Sequence, residues 1–340
     1  MKRIITFGEI MMRLGPEGFL RFLQADKFEA SFAGGEANVA VSLANYGMDA
    51  AFVTKVPDHE IGQAAVNALR KFGVDTSLIK RGGDRLGIYF VEKGASQRAS
   101  KVIYDRAYSA ISKAIKADFD WENIFKGADW FHFTGITPAL SSELSEICLE
   151  ACKKAKELGV KVSCDLNYRA KLWSRDKAGA VMTSLMPYVD LLIANEEDAK
   201  DVFGIESEGT DVISGNVNEE GYISVAEKLI ERFGFEKVAI TLRTSISASD
   251  NEWGGMLYSG GKAYFSPKYM IRIVDRVGGG DSFGGGLIYS LLSGFDEQKA
   301  INFAVAASCL KHSIQNDFNL VSVKEVEALA NGNSSGRVQR

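Results

Sequence analysis

Residues 275–286 read DRVGGGDSFGGG, six glycines and two aspartates in twelve positions. The run before them, YMIRIVD, alternates as a strand does. After them Phe283, Leu287, Ile288, Leu291 and Leu292 recur at helical spacing. The glycines therefore fall between a strand and the first turn of a helix. Backbone N–H groups there have no partner inside the helix, and its dipole favours an anion. Gly278, Gly279 and Gly280 carry no Cβ to hold a phosphate off those N–H groups. Gly284, Gly285 and Gly286 each weaken the helix by ~1 kcal/mol relative to alanine, which implies close approach of a ligand or a neighbouring element. Asp281 has the wrong charge for an anion site, and two readings stand for it. It caps its helix, or it is a general base that takes a hydroxyl proton while a phosphoryl group arrives beside it.

Other phosphate-binding patterns are missing. No G-x-x-x-x-G-K-[ST] occurs, and the dinucleotide pattern G-x-G-x-x-G fails because Phe283 occupies its last glycine position. The four cysteines and three histidines show no metal-ligand spacing. Reduced buried thiols are expected for the cysteines, and His132, inside DWFHFTGI, is expected to be a core residue. His59 starts a helix and His312 follows Lys311 near a helix end, and neither reads as catalytic.

The elements that would position the glycine loop are legible along the chain. RIITFGEI, AAFVTKV, DWFHFTGI, VKVSCDL, DLLIAN and KVAITLR are short apolar runs, most of them followed by helical patterns such as EANVAVSLANYG and SELSEICLEACKKAKELG. That alternation predicts an α/β fold, a doubly wound, mostly parallel sheet covered by helices on both faces. Glycines close helical patterns at KELG and RKFG. Two stretches break the rhythm. Residues 11–33 and 86–106 carry strand-like runs with no helix between them, which predicts a small antiparallel sheet serving as a lid. EWGGMLYSGGKAYFSP predicts a hairpin turned at residues 259–261. Residues 1–330 are expected to form one domain with this lid, and 331–340 a frayed polar tail.

With 340 residues, 46% of them hydrophobic, the chain can bury a large core. Forty Lys and Arg against 44 Asp and Glu leave a formal charge of −4, which offers no electrostatic footprint for nucleic acid or anionic membrane. The N-terminus lacks a signal-peptide pattern, and the longest apolar run near the C-terminus, AVAASCL, is too short to span a bilayer. A cytoplasmic protein is expected.

The segment DRVGGGDSFGGGL resembles the C-terminal signature of the ribokinase-like (PfkB) carbohydrate kinases, usually Asp-Thr-x-Gly-Ala-Gly-Asp-x-Phe. AGGEANVAVSLANYG, residues 33–47, resembles the N-terminal one. The two lie in the family's order about 240 residues apart, and the resemblance covers nearly the whole chain. Arg276 stands where many relatives have threonine, and Gly279 where most have alanine. Within the family, FGEIMMRL, GIYFVEKG, VIYDRA, FHFTGITPAL, DLNYRAKLW and VDRVGGGDSF most resemble the 2-keto-3-deoxygluconate kinases.

The resemblance implies ATP-dependent transfer of a phosphoryl group to the 6-hydroxyl of 2-keto-3-deoxygluconate, with Asp281 as base and Gly278, Gly279 and Gly280 as the anion cradle. A sugar acid needs a cation for its carboxylate, and Arg106 and Arg169 stand at the ends of strand-like runs. By similarity Gly34, Gly35 and Asn38 contact the sugar, Tyr89, Tyr104 and Arg106 close over it from the lid, and Ile136, Asn167 and Arg169 complete the pocket. For either arginine a solvated surface charge, and for Tyr89 ordinary packing, remain alternative readings.

At the nucleotide end the family's Asn-x-x-Glu falls at Asn195 and Asp198, a shorter carboxylate here, where the alternative is a helix start with favourable acidic residues. Mg²⁺ is implied, held mainly by water and phosphates and leaving no dedicated metal ligands. Arg243, where most relatives have glycine, either reaches the ATP phosphates or is a surface residue. The adenine is placed along the helix near Asn302, Ala306 and Ala307, and a monovalent cation at Asp275 and the backbone of Val277. An exposed apolar lid face implies a homo-oligomer. The rival readings are a kinase for a neutral sugar or nucleoside, a non-catalytic sugar sensor on the same fold, and, more remotely, a dehydrogenase.

Overall fold

The computed structural model describes residues 1–206, 219–333 and 336. Strands β1 (Arg3–Phe7), β2 (Met11–Gly15), β3 (Glu29–Ala33), β4 (Asp49–Val56), β5 (Ile79–Arg81), β6 (Gly87–Glu92) and β7 (Lys101–Asp105) come from the first third of the chain. They are followed by β8 (Trp130–Thr134), β9 (Lys161–Asp165), β10 (Leu191–Asn195), β11 (Lys237–Ser245), β12 (Asp250–Ser259), β13 (Lys262–Phe265) and β14 (Tyr269–Arg272). The helices are α1 (Gly35–Asn45), α2 (Glu60–Arg70), α3 (Trp121–Ile124), α4 (Ile136–Ala139), α5 (Ser142–Glu157) and α6 (Arg175–Leu185), then α7 (Glu196–Phe203), α8 (Glu219–Phe233), α9 (Gly279–Leu292), α10 (Glu297–Lys311) and α11 (Val323–Ala330).

The large sheet runs β13-β12-β11-β10-β9-β8-β1-β4-β5, with β14 also paired to β12. From β11 to β5 every pairing is parallel, and the β12 pairings are antiparallel. The central parallel strands are largely buried because helices cover both faces: all five residues of β8 are buried, and so are four of the five in β1. Neighbours along β1 point opposite ways. Ile5 and Phe7 join the core beneath α5 and α6, and Ile4 joins Val39, Phe283 and Leu287 beneath α1 and α9. The winding direction reverses between β1 and β8, so the chain splays apart at the carboxyl ends of those strands and leaves a crevice there.

Local signals set the element ends. Ser141 caps α5 by accepting from the Leu144 N–H, and Asp296 caps α10 through the Lys299 N–H. The glycines of RKFG and KELG, Gly73 and Gly159, have φ of +81° and +72° just past their helices. Gly260 and Gly261, both with positive φ, form the tip of the β12–β13 hairpin.

Two expectations need revision. The small sheet, β3-β2-β6-β7, is mixed and not antiparallel: β2 pairs parallel to β6, because β4, α2 and β5 of the large sheet intervene between them in the chain. The strand before the glycine loop stops at Arg272 and pairs antiparallel with β12. A further stretch of loop then leads into α9, so the cradle is not fed directly from a core strand. Of the expected polar tail, residues 334, 335 and 337–340 lie outside the described residues.

Gly284, Gly285 and Gly286 serve helix packing. A Cβ at Gly285 would stand 2.8 Å from the Ser42 Cβ of α1, and one at Gly286 would stand 3.1 Å from the Ala304 Cα of α10. The glycine stripe lets α9 press between two helices. That fixes the direction in which its N-terminus points.

Candidate active site

A cleft of about 450 Å³ opens at the carboxyl ends of β1, β8, β9 and β10, between the large sheet and the small one. Its floor is the first turn of α9. Gly278 has φ +85°, and a Cβ there would strike the Asp317 carbonyl at 2.1 Å. Gly279 presses on the His312 ring, whose Cε1 would lie 2.5 Å from an added Cβ. Gly280 has nothing within 4 Å of its missing side chain, so its backbone faces open cleft. The three positions thus need glycine for different reasons: an αL turn, a packed ring and an unobstructed approach.

Asp281 follows in the same turn, and Gly278, the N-cap residue, makes no side-chain cap. The Asp281 carboxylate Oδ2 instead accepts from the Asn38 amide at 2.6 Å. Burial pushes its pKa up to about 7. Asp317 and Glu36 add to the rise, while Asn38 and Arg169 oppose it. A carboxyl poised near neutrality beside unpaired N–H groups is suited to accept a proton at the moment an anion is held next to it. The capping alternative fails, because no backbone N–H of α9 bonds this carboxylate among the described residues.

Asn38 reaches Asp281 because α1 starts at the end of β3. Its N-cap, Gly34, lies against Glu9, whose carbonyl would be 1.8 Å from a Cβ at that position. Asn38 Oδ1 also accepts from the Gly34 N–H. A side chain at Gly35 would come within 3.6 Å of Asp281 Oδ1. Beneath them lies Glu36, buried and held by the Thr134 N–H and hydroxyl and the Thr137 hydroxyl. It ties α1 to the end of β8, and the sequence reading passed over it.

The pattern of the pfkB family carbohydrate kinases matches residues 1–316. The chain belongs to that family. Its fold superposes on the crystal structure of a 2-dehydro-3-deoxygluconokinase from Thermotoga maritima with TM-score 0.95 and 55% sequence identity, covering 98% of this chain and 100% of that one. A 2-dehydro-3-deoxygalactonokinase from Haloferax volcanii is 34% identical over 333 residues, 98% of each chain. A putative ribokinase II from E. coli, in complex with ATP and Mg²⁺, shares the fold at TM-score 0.81 and 20% identity over 97% of this chain and 99% of that one. The ribokinase-like architecture and the carbohydrate kinase class follow.

Most of the remaining residues singled out from sequence converge on the same cleft; Asp275, Asn302, Ala306 and Ala307 do not line it. Tyr89 and Tyr104 enter it from β6 and β7, their rings stacked 6.1 Å apart. Tyr89 is buried and donates to Asp317 at 2.7 Å, so it both packs and ties the small sheet to the body. Arg106 lines the wall, but its guanidinium is spoken for: Glu9 accepts from both Nε and Nη2. Ser109 holds the other Glu9 oxygen. Arg169 is exposed to the cleft, and among the described residues its side chain donates only to its neighbour's carbonyl, that of Tyr168, at 2.8 Å. Asn167, at φ +40°, makes the bend that brings it there, and Ile136 opens α4 on the adjacent wall.

Asn195 and Asp198 form a reciprocal cap at the start of α7. Asn195 Oδ1 accepts from the N–H groups of Glu197 and Asp198, and Asp198 Oδ2 accepts from that of Asn195. Both line the cleft as well. Burial raises Asp198 to about 6, and Asp165 beside it is raised well above the usual carboxylate range by burial, Asp198 and Asp281. These poorly solvated carboxyls would be relieved by a cation close by. Among the described residues no group of three or more His, Cys, Asp or Glu side chains is placed to hold a metal ion.

The adenine placement needs correction. Ala306 and Ala307 are fully buried against Tyr46 and Phe303. Asn302 faces a separate shallow depression and accepts from Gln298. That stripe of α10 is core, as small apolar residues at helical spacing usually are.

The monovalent-cation placement also disagrees with the residues present. The Asp275 carboxylate accepts from Arg13 at 2.6 Å and from the N–H groups of Val277 and Asn316, and its carbonyl accepts from the buried Lys311 ammonium at 3.1 Å. Arg13 and Lys311 already supply the positive charge.

Asp317, Trp253 and His312 also line the cleft, and the sequence reading gave none of them a role there. Asp317 accepts from Arg13 and Tyr89. His312 is kept neutral by burial, its pKa falling to about 4, and its Nδ1 lies 2.7 Å from the Ser308 carbonyl. His132 is a core residue, bonded to the Ser163 hydroxyl.

Proposed function

We propose that this kinase transfers the γ-phosphoryl group of ATP to the 6-hydroxyl of 2-keto-3-deoxygluconate or its galactonate epimer. The observation that carries the reading is Asp281: a carboxyl near neutrality, hydrogen-bonded by Asn38, in the same turn as the open Gly280 backbone. Asp281 takes the hydroxyl proton as the oxygen attacks phosphorus, and the first N–H groups of α9 hold the charge that develops on the transferring group. Mg²⁺ bound near Asn195, Asp198 and the phosphates would neutralise further charge there. Arg169, the cleft arginine without an acidic partner on this side, holds the sugar-acid carboxylate. Arg106, engaged by Glu9, shapes the wall together with Tyr104.

The similarity to both a 2-dehydro-3-deoxygluconokinase and a 2-dehydro-3-deoxygalactonokinase supports the keto-acid class and leaves the epimer to experiment. Coupled ATP turnover on both epimers, gluconate and fructose is the test. The reading requires turnover of a keto acid well above that of fructose. Arg169→Ala should lower kcat/KM for the keto acid by about a hundredfold, the loss expected for one charged hydrogen-bonding partner. Equal turnover of fructose by parent and variant, with no keto-acid preference, would assign a neutral-sugar kinase.

Phe19, Leu20, Leu23 and Phe28, beside the small sheet, and Ile103 on it are exposed, and a second copy of the chain covering them is the assembly we favour. Light scattering of a variant with Leu23→Lys and Ile103→Lys, monomeric where the parent is not, would support it. Among the described residues no helix is long and apolar enough to cross a membrane, in keeping with action in the cytoplasm.

A further inference from the structure

Beside the cradle lies a patch that the steps above leave unused. Arg243 on β11 and Trp253 on β12 are cross-strand partners, so their side chains share a face. The Trp253 ring packs on His312 at 5.0 Å, and His312 in turn packs on Gly279. Arg276 enters the cleft from the loop two residues before Gly278. Each of these groups presents donors. Two of the donors, Arg276 Nε and the Trp253 indole N–H, are buried without an acceptor.

The two arginines differ from the others in the cleft. Arg13 and Arg106 have their forks filled by carboxylates. Arg276 has only a 3.5 Å bond to the Ala248 carbonyl, and neither it nor Arg243 has an ion-pair partner among the described residues. Burial lowers the Arg276 pKa, Arg243 lowers it further, and Asp275 opposes the fall. Two cations lining one cleft with unfilled donors call for an anion with several oxygens, longer than a single phosphoryl group.

We propose that Arg276 and Arg243, with the Trp253 N–H between them and the cradle, clamp the nucleotide's polyphosphate, and that Arg276 stabilises the departing β-phosphate. In that step the acceptor oxygen gives its proton to Asp281 and forms the new bond to the γ-phosphorus. The bond from phosphorus to the bridging oxygen breaks, and its electron pair stays on ADP, whose terminal phosphate gains one negative charge. A guanidinium fork facing that oxygen answers the gain. The proposal rests on a nucleotide occupying this cleft and is independent of which sugar accepts the group.

Calorimetric titration of ADP and of inorganic tripolyphosphate into the full chain, without sugar, reads the clamp directly. Arg276→Ala and Arg243→Ala should each weaken both ligands by about tenfold while leaving adenosine binding unchanged. Arg276→Ala should also cut kcat by about a hundredfold with the sugar KM unchanged, and Arg276→Lys should restore binding more than turnover. Arg243 is exposed, so its variant keeps the test decisive should Arg276→Ala fold poorly. Unchanged ADP and tripolyphosphate affinities in the alanine variants, or a raised sugar-acid KM in their place, overturn the clamp. A parent chain that binds ADP through these arginines but phosphorylates none of the sugars tested supports the clamp while refuting the acceptor assignment.

Discussion

Replacing Asp281 with asparagine should damage catalysis and strengthen the fold, and the second effect depends on pH. In the folded chain burial raises the carboxyl from 3.8 to about 7. The fold therefore favours the protonated form. That contribution is complete below the unfolded value near 3.8 and is lost as pH rises through about 7. A shift of roughly three units corresponds to about 4 kcal/mol as an upper bound, and access of water from the cleft reduces it to about 2 kcal/mol. Asparagine keeps the shape and can still accept from Asn38, but it never ionises. At about pH 8.5 the ligand-free variant should therefore melt several degrees above the parent, and near pH 4 the two should coincide. Melting curves followed by circular dichroism at the two pH values measure this. Turnover should move the opposite way. The variant loses about a thousandfold in kcat, the scale of a missing general base, while kcat/KM of the parent rises with pH through about 7. A parent profile flat across that range, together with no alkaline stabilisation in the variant, would refute both the buried charge and the base assigned to it.

Gly280→Ala should fold normally, since its Cβ meets nothing within 4 Å, yet lose turnover because the methyl group stands where phosphate must approach. A change of melting temperature with kcat preserved would count against the cradle. Exchanging potassium for sodium or choline at constant ionic strength should change turnover by less than about twofold, because Arg13 and Lys311 already compensate Asp275. Activation by potassium well beyond that would show that the compensation is incomplete. Arg13→Leu strands the buried Asp275 and Asp317 carboxylates and should cost about 3–5 kcal/mol. Urea unfolding of this variant beside the triple variant Arg13→Leu, Asp275→Asn, Asp317→Asn separates this from a simple loss of packing, which removing the two charges would not relieve.

What could be read in the sequence was whatever local chemistry decides. Apolar runs with few charges marked β1, β8 and β10 because a parallel strand is buried on both faces, and the glycine loop marked the start of α9 because no other residue type permits that turn. The family signatures carried the rest of the cleft, from Gly34 to Asp281. What escaped depends on partners distant in sequence. Arg106 reads as a free cation until Glu9, 97 residues away, is seen to hold it. Asp275 reads as a cation ligand until Arg13, 262 residues away, is brought to it by a strand of the small sheet. Asn302 and Ala306 look like any residues that a ligand can lie on, and only the packing of α10 on Tyr46, Val321 and Val326 buries Ala306, while Asn302 lines a depression apart from the cleft. Charge compensation and burial are properties of the assembled chain, and they decide whether an ionisable side chain is a structural tie or an instrument. On that criterion Arg13 and Arg106 are ties. Among the described residues Arg169, Arg243 and Arg276 form no ion pair, and so they are the arginines left to bind what the cleft was built to receive.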